Sequence, residues 1–381
     1  NQVIHHKFMF MRFLLGLTRI IVGGLFIFSG LIKANDPQGL SYKMQEFFEI
    51  LGMGFLDDYT LIFSILMIAF EIIAGVAVLL GWQFRLFSWM LFILIVFFTF
   101  LTGYAVFSGK IKECGCFGDC IKLTSNQSFI KDLVLFAMIG FLLYKRDQVK
   151  SLLKPGIAIF ILVLISFFSF WIQFYVLEHL PIFDCLPYKK GVDIREKMQI
   201  PAGAIPDSTV INFVYQKDGK EVEFDAEHFP SDFNDSNYVF LRRYDKLIRE
   251  GNAKPTIKDF VIISPTGADT TDAILSDPRQ LYILFTKKVE PDNNNWLNDF
   301  KAITESLKKN ERPIFAVSSD ADNLMNMLKT AGIDIPVYKG DLVAIKTAAR
   351  SIPTLFEIQQ GVILDKWGRG DFKDAKTDIL R

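Results

Sequence analysis

The sequence predicts an α-helical membrane bundle followed by an α/β domain in water, on three observations. The chain is 51% hydrophobic with 38 Phe, and the apolar residues concentrate before about residue 177 in runs longer than a water-soluble core needs. Beyond residue 260, segments of strand and helix character alternate, as in a small α/β sandwich with parallel pairing at its centre. Three of the four cysteines fall within residues 114–120, a polar stretch between two apolar runs. A chain of 381 residues has room for two or three domains. Lys plus Arg number 42, as do Asp plus Glu, so net charge points to no nucleic-acid partner.

Residues 13–32 form the first apolar run, about twenty residues, enough to cross a hydrocarbon core of roughly 30 Å. The run is too long for a secretory signal and is expected to remain as a helix behind Lys7 and Arg12. Residues 35–60 are polar, with Pro37 and Gly39. The spacing of Met44, Phe47, Phe48 and Leu51 suggests a short amphipathic helix at the interface. Residues 61–81 and 86–107 are the second and third spans, joined by a tight turn around Trp82 and Arg85. The fourth covers 129–144 behind the N-cap candidates Thr124, Ser125 and Asn126, with Lys131 and Asp132 shortening its apolar part. Residues 156–176 are the fifth. An odd number of spans puts the two ends of the chain on opposite sides.

Basic residues set the orientation. Lys7, Arg12, Arg85, Lys145, Arg146, Lys150 and Lys154 fall in one set of short segments; Lys33, Lys43, Lys110, Lys112 and Lys122 fall in the other. The excess in the first set places the N-terminus in the cytoplasm, with the cysteine stretch and everything after residue 176 outside. Cys185 then shares the outer side with Cys114, Cys116 and Cys120, where disulfides persist. Trp82, Trp89 and Trp171 read as interfacial anchors.

After the fifth span, residues 178–260 are β-rich. Residues 209–216 and 221–224 flank Lys217-Asp218-Gly219-Lys220, a hairpin signal through Asp-Gly. Strands are expected over 281–285 and 313–317, and helices over 296–309, 320–331 and 341–350. A terminal hairpin is expected over 354–358 and 362–366. The domains are therefore expected at 1–150, 151–177, 178–260 and 261–381.

The cysteine stretch leaves three readings open. A disulfide between residues two apart closes a tiny ring, whereas a Cys116–Cys120 bond fits a turn more easily. Cys185 lies nine residues past the fifth span, a reach of up to about 30 Å. Lys110, Lys112 and Lys122 favour thiolates here, while Glu113 and Asp119 oppose them. Cys114, Cys116, Cys120 and Cys185 could form a catalytic exchange centre, making the chain a thiol–disulfide oxidoreductase. They could instead form two permanent bridges pinning the stretch to the base of the tail. Four thiolates could also hold a metal, but the Cys-x-Cys-x3-Cys spacing is unusual for one and no histidine is near in sequence, so no metal site is assigned.

Arg19 and Glu71 are ionisable groups inside apolar spans, where such groups pair or face a cavity. At the helical rise they lie roughly 9 and 15 Å from the inner ends of their spans, a difference an arginine can bridge. They are either a polar pocket for a quinone or lipid head group, or a structural ion pair that fixes helix packing, or Arg19 snorkels toward the inner end of its span. His179, just past the fifth span, is a proton carrier or simply solvated.

Two resemblances add to these readings. The run Arg19…Gly23-Gly24…Phe28-Ser29-Gly30…Lys33 resembles the first helix of the DoxX family, and Cys114-Gly115-Cys116-Phe117-Gly118 is similar to the related MauE family. That resemblance implies a four-helix membrane core, here with a fifth span, and a part in disulfide formation during maturation of a periplasmic enzyme. The whole chain looks like a DoxX-type family of Bacteroidota, which implies a bacterial inner-membrane protein with an exported tail. Over 261–381, Ser351-Ile352-Pro353-Thr354 before a terminal hairpin resembles the cis-proline loop of the thioredoxin fold, which implies a peptide-binding edge at Ile352 and Pro353. Where thioredoxins carry Cys-x-x-Cys, this chain reads Lys287-Lys288-Val289-Glu290-Pro291-Asp292-Asn293, so the tail has no dithiol of its own. The expected function is thiol–disulfide exchange in the envelope, with a periplasmic client and a quinone as electron acceptor. The alternative is a scaffold in the bilayer whose tail docks partners in an envelope assembly or secretion complex.

Overall fold

The computed structural model describes residues 2–111, 115–206, 208–234, 236–249, 251–287 and 295–379. Cys114, with Lys112 and Glu113, and residues 288–293 of the loop after the first central strand lie outside the described residues.

Six helices make the N-terminal region: α1 (Gln2–Ala34), α2 (Pro37–Ile50), α3 (Thr60–Leu80), α4 (Phe84–Ser108), α5 (Ser125–Tyr144) and α6 (Pro155–Glu178). All but α2 are long and apolar enough to cross a membrane, five among the described residues. The amphipathic stretch becomes α2, capped by Asp36, whose carboxylate accepts from the Gly39 amide at 2.8 Å. The fourth span starts earlier than its apolar run suggests. Thr124 and Gln127 form a reciprocal capping box, which carries the helix back to Ser125.

Two glycines of the first span, Gly23 and Gly30, have a packing reason. A Cβ on Gly75 of α3 would lie 2.8 Å from the Gly23 carbonyl oxygen, and one on Gly30 would lie 2.5 Å from Ile72 Cγ1. The two backbones therefore approach closely along one seam of α1 and α3. Gly75→Ala is expected to destabilise the bundle by about 1–3 kcal/mol, as overpacking does. Gly24→Ala, with nothing within 4 Å, should leave the melting midpoint in detergent unchanged. Equal midpoints for the two variants would remove the seam from the account.

The chain reverses at each helix end, so the α1–α2–α3 connection, the cysteine loop between α4 and α5, and the exit from α6 share one end of the bundle. At the other end Arg85 pairs with Asp147 at 2.7 Å.

The tail begins with α7 (Ile194–Met198) and a separate three-stranded antiparallel sheet, β1 (Ser208–Lys217), β2 (Lys220–Asp225) and β3 (Val239–Arg249), in the order β2-β1-β3. Its hairpin turns at Asp218 and Gly219, both with positive φ, as a two-residue turn requires. The final domain runs β4 (Ile262–Ile263), α8 (Thr271–Leu275), β5 (Leu281–Thr286), α9 (Leu297–Lys309), β6 (Ile314–Ser318), α10 (Ala321–Thr330), β7 (Val337–Gly340), α11 (Leu342–Ala348), β8 (Thr354–Gln359), β9 (Val362–Gly368) and α12 (Phe372–Ile379). Its sheet has the order β4-β7-β6-β5-β8-β9. β5, β6 and β7 are parallel, while β8 is antiparallel to β5 and β9 to β8. β5 is buried throughout. Its alternation sends Ile283 and Phe285 toward α11, and Tyr282 and Leu284 toward α9 and α12. Sequence reasoning missed β7, whose four residues offer no periodicity to read, and extended α11 through Arg350.

That last difference matters, because Arg350 leaves the helix to join tail and bundle. It is 7% exposed and pairs with Asp36 at 2.8 Å and Asp119 at 2.5 Å. Asn35 exchanges two hydrogen bonds with the Phe183 backbone, and Lys346 donates to Gln45 Oε1 at 3.1 Å. Burial raises the pKa of Asp36, and the Arg350 guanidinium opposes that rise.

Candidate functional site

The cysteine loop leaves α4 at Gly109 and turns twice at positive φ, at Gly115 and Gly118. Phe117 then folds inward, its ring 5.8 Å from Phe28 and 5.4 Å from the Lys131 ammonium. The Ser29 hydroxyl lies 3.2 Å from the Cys116 carbonyl oxygen and 3.1 Å from Glu71 Oε2, so it can donate to either. The loop is thus held against α1 and α5.

Beneath it lies a cavity of about 440 Å³, within the usual range for small-molecule sites. Met44, Phe47 and Phe48 of α2, Met67 of α3, and Phe98 and Leu101 of α4 form apolar walls. Leu66 and Phe100 also line it and are exposed on the outside of the bundle, so the cavity reaches the lipid-facing surface. Its other end is polar, formed by Ser29, Lys33, Glu71, Cys116, Lys131 and Asp132. Lys33 pairs with Glu71 at 2.6 Å, both almost fully buried. Lys131 pairs with Asp132 at 2.6 Å, and Asp132 also accepts from Thr102 at 3.0 Å. Ion pairs inside an apolar bundle are costly and are kept by pairing or by facing a cavity; here both pairs do both.

Here the structure corrects the expected pairing of Arg19 with Glu71. Arg19 donates to the Leu79 carbonyl, and Glu71 takes Lys33 as its partner. Of the two residues expected at a ligand site, Glu71 lines the cavity and Arg19 is absent from its wall. Lys33, Lys131 and Asp132 were legible only as charges beside apolar runs. Their convergence required the helix rotations.

Cys116 carries a thiol. Burial pushes its pKa up, more than Lys131 and Lys33 pull it down; Asp132 adds to the rise. At neutral pH the resting thiol is therefore protonated. With Cys114 replaced by Ser, iodoacetamide labelling of Cys116 should be slow at neutral pH and still rising above the ordinary thiol range of about 8.5. A labelling curve with its midpoint below 8 would contradict this.

Cys120 and Cys185 form a disulfide across 65 residues of sequence, which ties the loop to the chain leaving α6. Closing such a loop stabilises by about 4 kcal/mol in chain-entropy terms. A Cys116–Cys120 bond, the easier pairing within the loop, is not formed. No group of three or more metal-ligating side chains occurs among the described residues.

The Ile352–Pro353 bond is cis, but the loop is packed against its own chain. Pro353 is buried, and the neighbouring Ser351 hydroxyl donates to the Glu178 carbonyl at the end of α6, at 2.7 Å. Arg369 pairs with Glu178 at 2.5 Å. His179 stacks on Tyr175 and its Nδ1 contacts Asp371, so it belongs to this docking contact.

Residues 11–145, which span α1 to α5 and the loop cysteines, match the family described as Methylamine utilisation protein MauE. The N-terminal region is that of a MauE/DoxX-like membrane protein. Neither α6 nor Cys185 falls within this MauE-like match. Residues 209–250, the three-stranded sheet, match a domain of unknown function, DUF8463. Over 161 residues the chain is 28% identical to Protein TlpB of Flavobacterium psychrophilum, covering 39% of this chain and 42% of that relative. The chain thus spans less than half the length of that relative. No solved structure matches the chain.

Proposed function

We propose that the protein carries out thiol–disulfide exchange in the inner membrane, with its N-terminus in the cytoplasm and its loop and tail in the periplasm. The observation that carries this reading is one loop serving two spaces. Cys116 lines the membrane cavity, while four residues on Cys120 bonds to Cys185 on the side of the tail. Reduced client cysteines would deliver electrons from the aqueous side. Oxidation of Cys116 with a second loop thiol, Cys114 or Cys120, would release two electrons and two protons into the cavity. A quinone supplies a sink for both. The residues fit such a group: apolar walls for a lipid tail, and Ser29, Lys33 and Lys131 as donors for ring oxygens. Glu71 and Asp132 are carboxylates able to hold a proton there.

The order of β5 to β9 and the cis Pro353 support a thioredoxin-like reading of the tail, whose part is to hold the Cys185 linker over the loop. Arg350, bonded to both Asp36 and Asp119, favours a second reading, a stapled scaffold that docks envelope partners.

The two readings separate in a reconstituted assay. Protein in nanodiscs is reduced, desalted and mixed with a short-chain quinone; quinone absorbance and cysteine state by mass-shifting alkylation are followed together. Exchange predicts quinone reduction matched to disulfide formation, and a loss of roughly a hundredfold or more in Cys116→Ser, as for removal of a reacting group. A Cys120–Cys185 bond inert to thiols, with no electron transfer, would leave the scaffold.

A further inference from the structure

A second cavity, of about 730 Å³, lies between the bundle and the tail. Gly39, Tyr42 and Gln45 of α2 form one wall, and Leu342, Val343 and Lys346 of α11 the facing one. Cys185 lines it from the chain leaving α6; Cys120 is absent from its lining and is exposed. We propose that this cleft is where a client presents a reduced cysteine pair to the Cys120–Cys185 disulfide, and that it selects segments with carboxylates beside those cysteines. The inference rests on the thiol–disulfide reading and names the client's chemistry.

In this proposal attack falls on Cys185, the cysteine that lines the cleft. A client thiolate reaches Cys185 Sγ from the cleft. The Cys120–Cys185 bond breaks, a client–Cys185 bond forms, and Cys120 leaves as the thiolate. The client's second thiolate then attacks its own mixed-disulfide sulfur and releases Cys185. One client disulfide is gained, one protein disulfide is lost, and the two client protons end on Cys120 and Cys185. The leaving thiolate is the one in the loop that also carries Cys116, so electrons are handed toward the membrane side.

Charge decides which segment fits. Five lysines and one arginine line the cleft against three carboxylates. Part of this is cancelled: Lys43 pairs with Glu46 at 2.9 Å, Lys197 with Glu196 at 2.8 Å, and Arg350 with both Asp119 and Asp36. Lys346 donates to the neutral Gln45 amide and lies over the Tyr42 ring, so neither contact offsets its charge. Lys189 is exposed. Across a Debye length of about 10 Å such an excess attracts a carboxylate and repels an ammonium. Leu342 and Val343, 41% and 65% exposed, offer the same segment an apolar edge.

The test compares two synthetic dithiol peptides with identical cysteine spacing, one flanked by Glu and one by Lys. Each is mixed with the full-length oxidised protein in nanodiscs at low and high salt. Loss of the Cys120–Cys185 bond is read by mass-shifting alkylation, each rate divided by that protein's own rate with dithiothreitol. The Glu peptide is expected to react about tenfold faster, the lower end of electrostatic rate enhancement, with the advantage fading at high salt. Lys189→Glu should reduce this preference and Lys189→Glu with Lys346→Glu should reverse it. Equal rates, a faster Lys peptide, or a preference indifferent to charge reversal would overturn the proposal. Quinone is absent from the assay, so a failed quinone link leaves the result standing. A bond that dithiothreitol cannot open would instead sink the exchange reading itself.

Discussion

Replacing Arg350 by Met is expected to undock the tail from the bundle. The guanidinium is almost fully buried and bonds two carboxylates, Asp36 and Asp119. Removing one partner of a buried charge cluster costs about 3–5 kcal/mol, mostly because the remaining charge is left without compensation. Asp36 would be that charge, since its carboxylate is only 12% exposed. The pH dependence follows from the direction of its shift. Burial raises the folded pKa of Asp36 above the ordinary 3.8, with Arg350 opposing the rise. A carboxyl with a raised folded pKa destabilises the fold when ionised, and the penalty is relieved as pH falls through that pKa toward 3.8. Losing Arg350 removes the opposing cause, so the variant's deficit should be largest near neutrality and shrink in acid. Limited proteolysis between α6 and α7 across a pH series would measure it. Asp36→Asn combined with Arg350→Met should recover part of the loss. A deficit independent of pH would mean that Asp36 is not the stranded group.

Glu71→Leu should be comparably damaging, because it leaves the Lys33 ammonium, 4% exposed, without its carboxylate inside the bundle. Lys33→Met with Glu71→Leu removes both charges and should restore most of the thermal stability, as apolar replacement of a buried pair commonly does. The double variant separates packing from function. If the pair serves only to pack α1 on α3, electron transfer to quinone will survive. If it forms the polar end of a redox cavity, the protein will fold, retain Cys120–Cys185, and transfer electrons at least tenfold more slowly, the minimum expected for losing a proton-handling group. A folded double variant with full activity would take the cavity out of the mechanism.

Some of this protein was legible in the chain alone. Five spans follow from the length of apolar runs, because a hydrocarbon core sets a minimum for any helix that crosses it. The Asp218-Gly219 turn and the capped start of α5 follow from local backbone preferences, and both stand where the residues place them. What distant segments do to each other was not legible. Arg19 and Lys33 lie on the same helix, and only the offset of α1 against α3 gives Glu71 to Lys33. Cys120 bonds Cys185, 65 residues away, in preference to its neighbour in the loop, because the chain leaving α6 passes over that end of the bundle. The cis-Pro353 loop reads as an open edge in sequence and is covered by the end of α6 in space. Local pattern determines elements, since helix and turn energies depend on near neighbours. The buried pairs and the disulfide were decided by packing, since their energies depend on which buried charges and sulfurs the fold brings within reach.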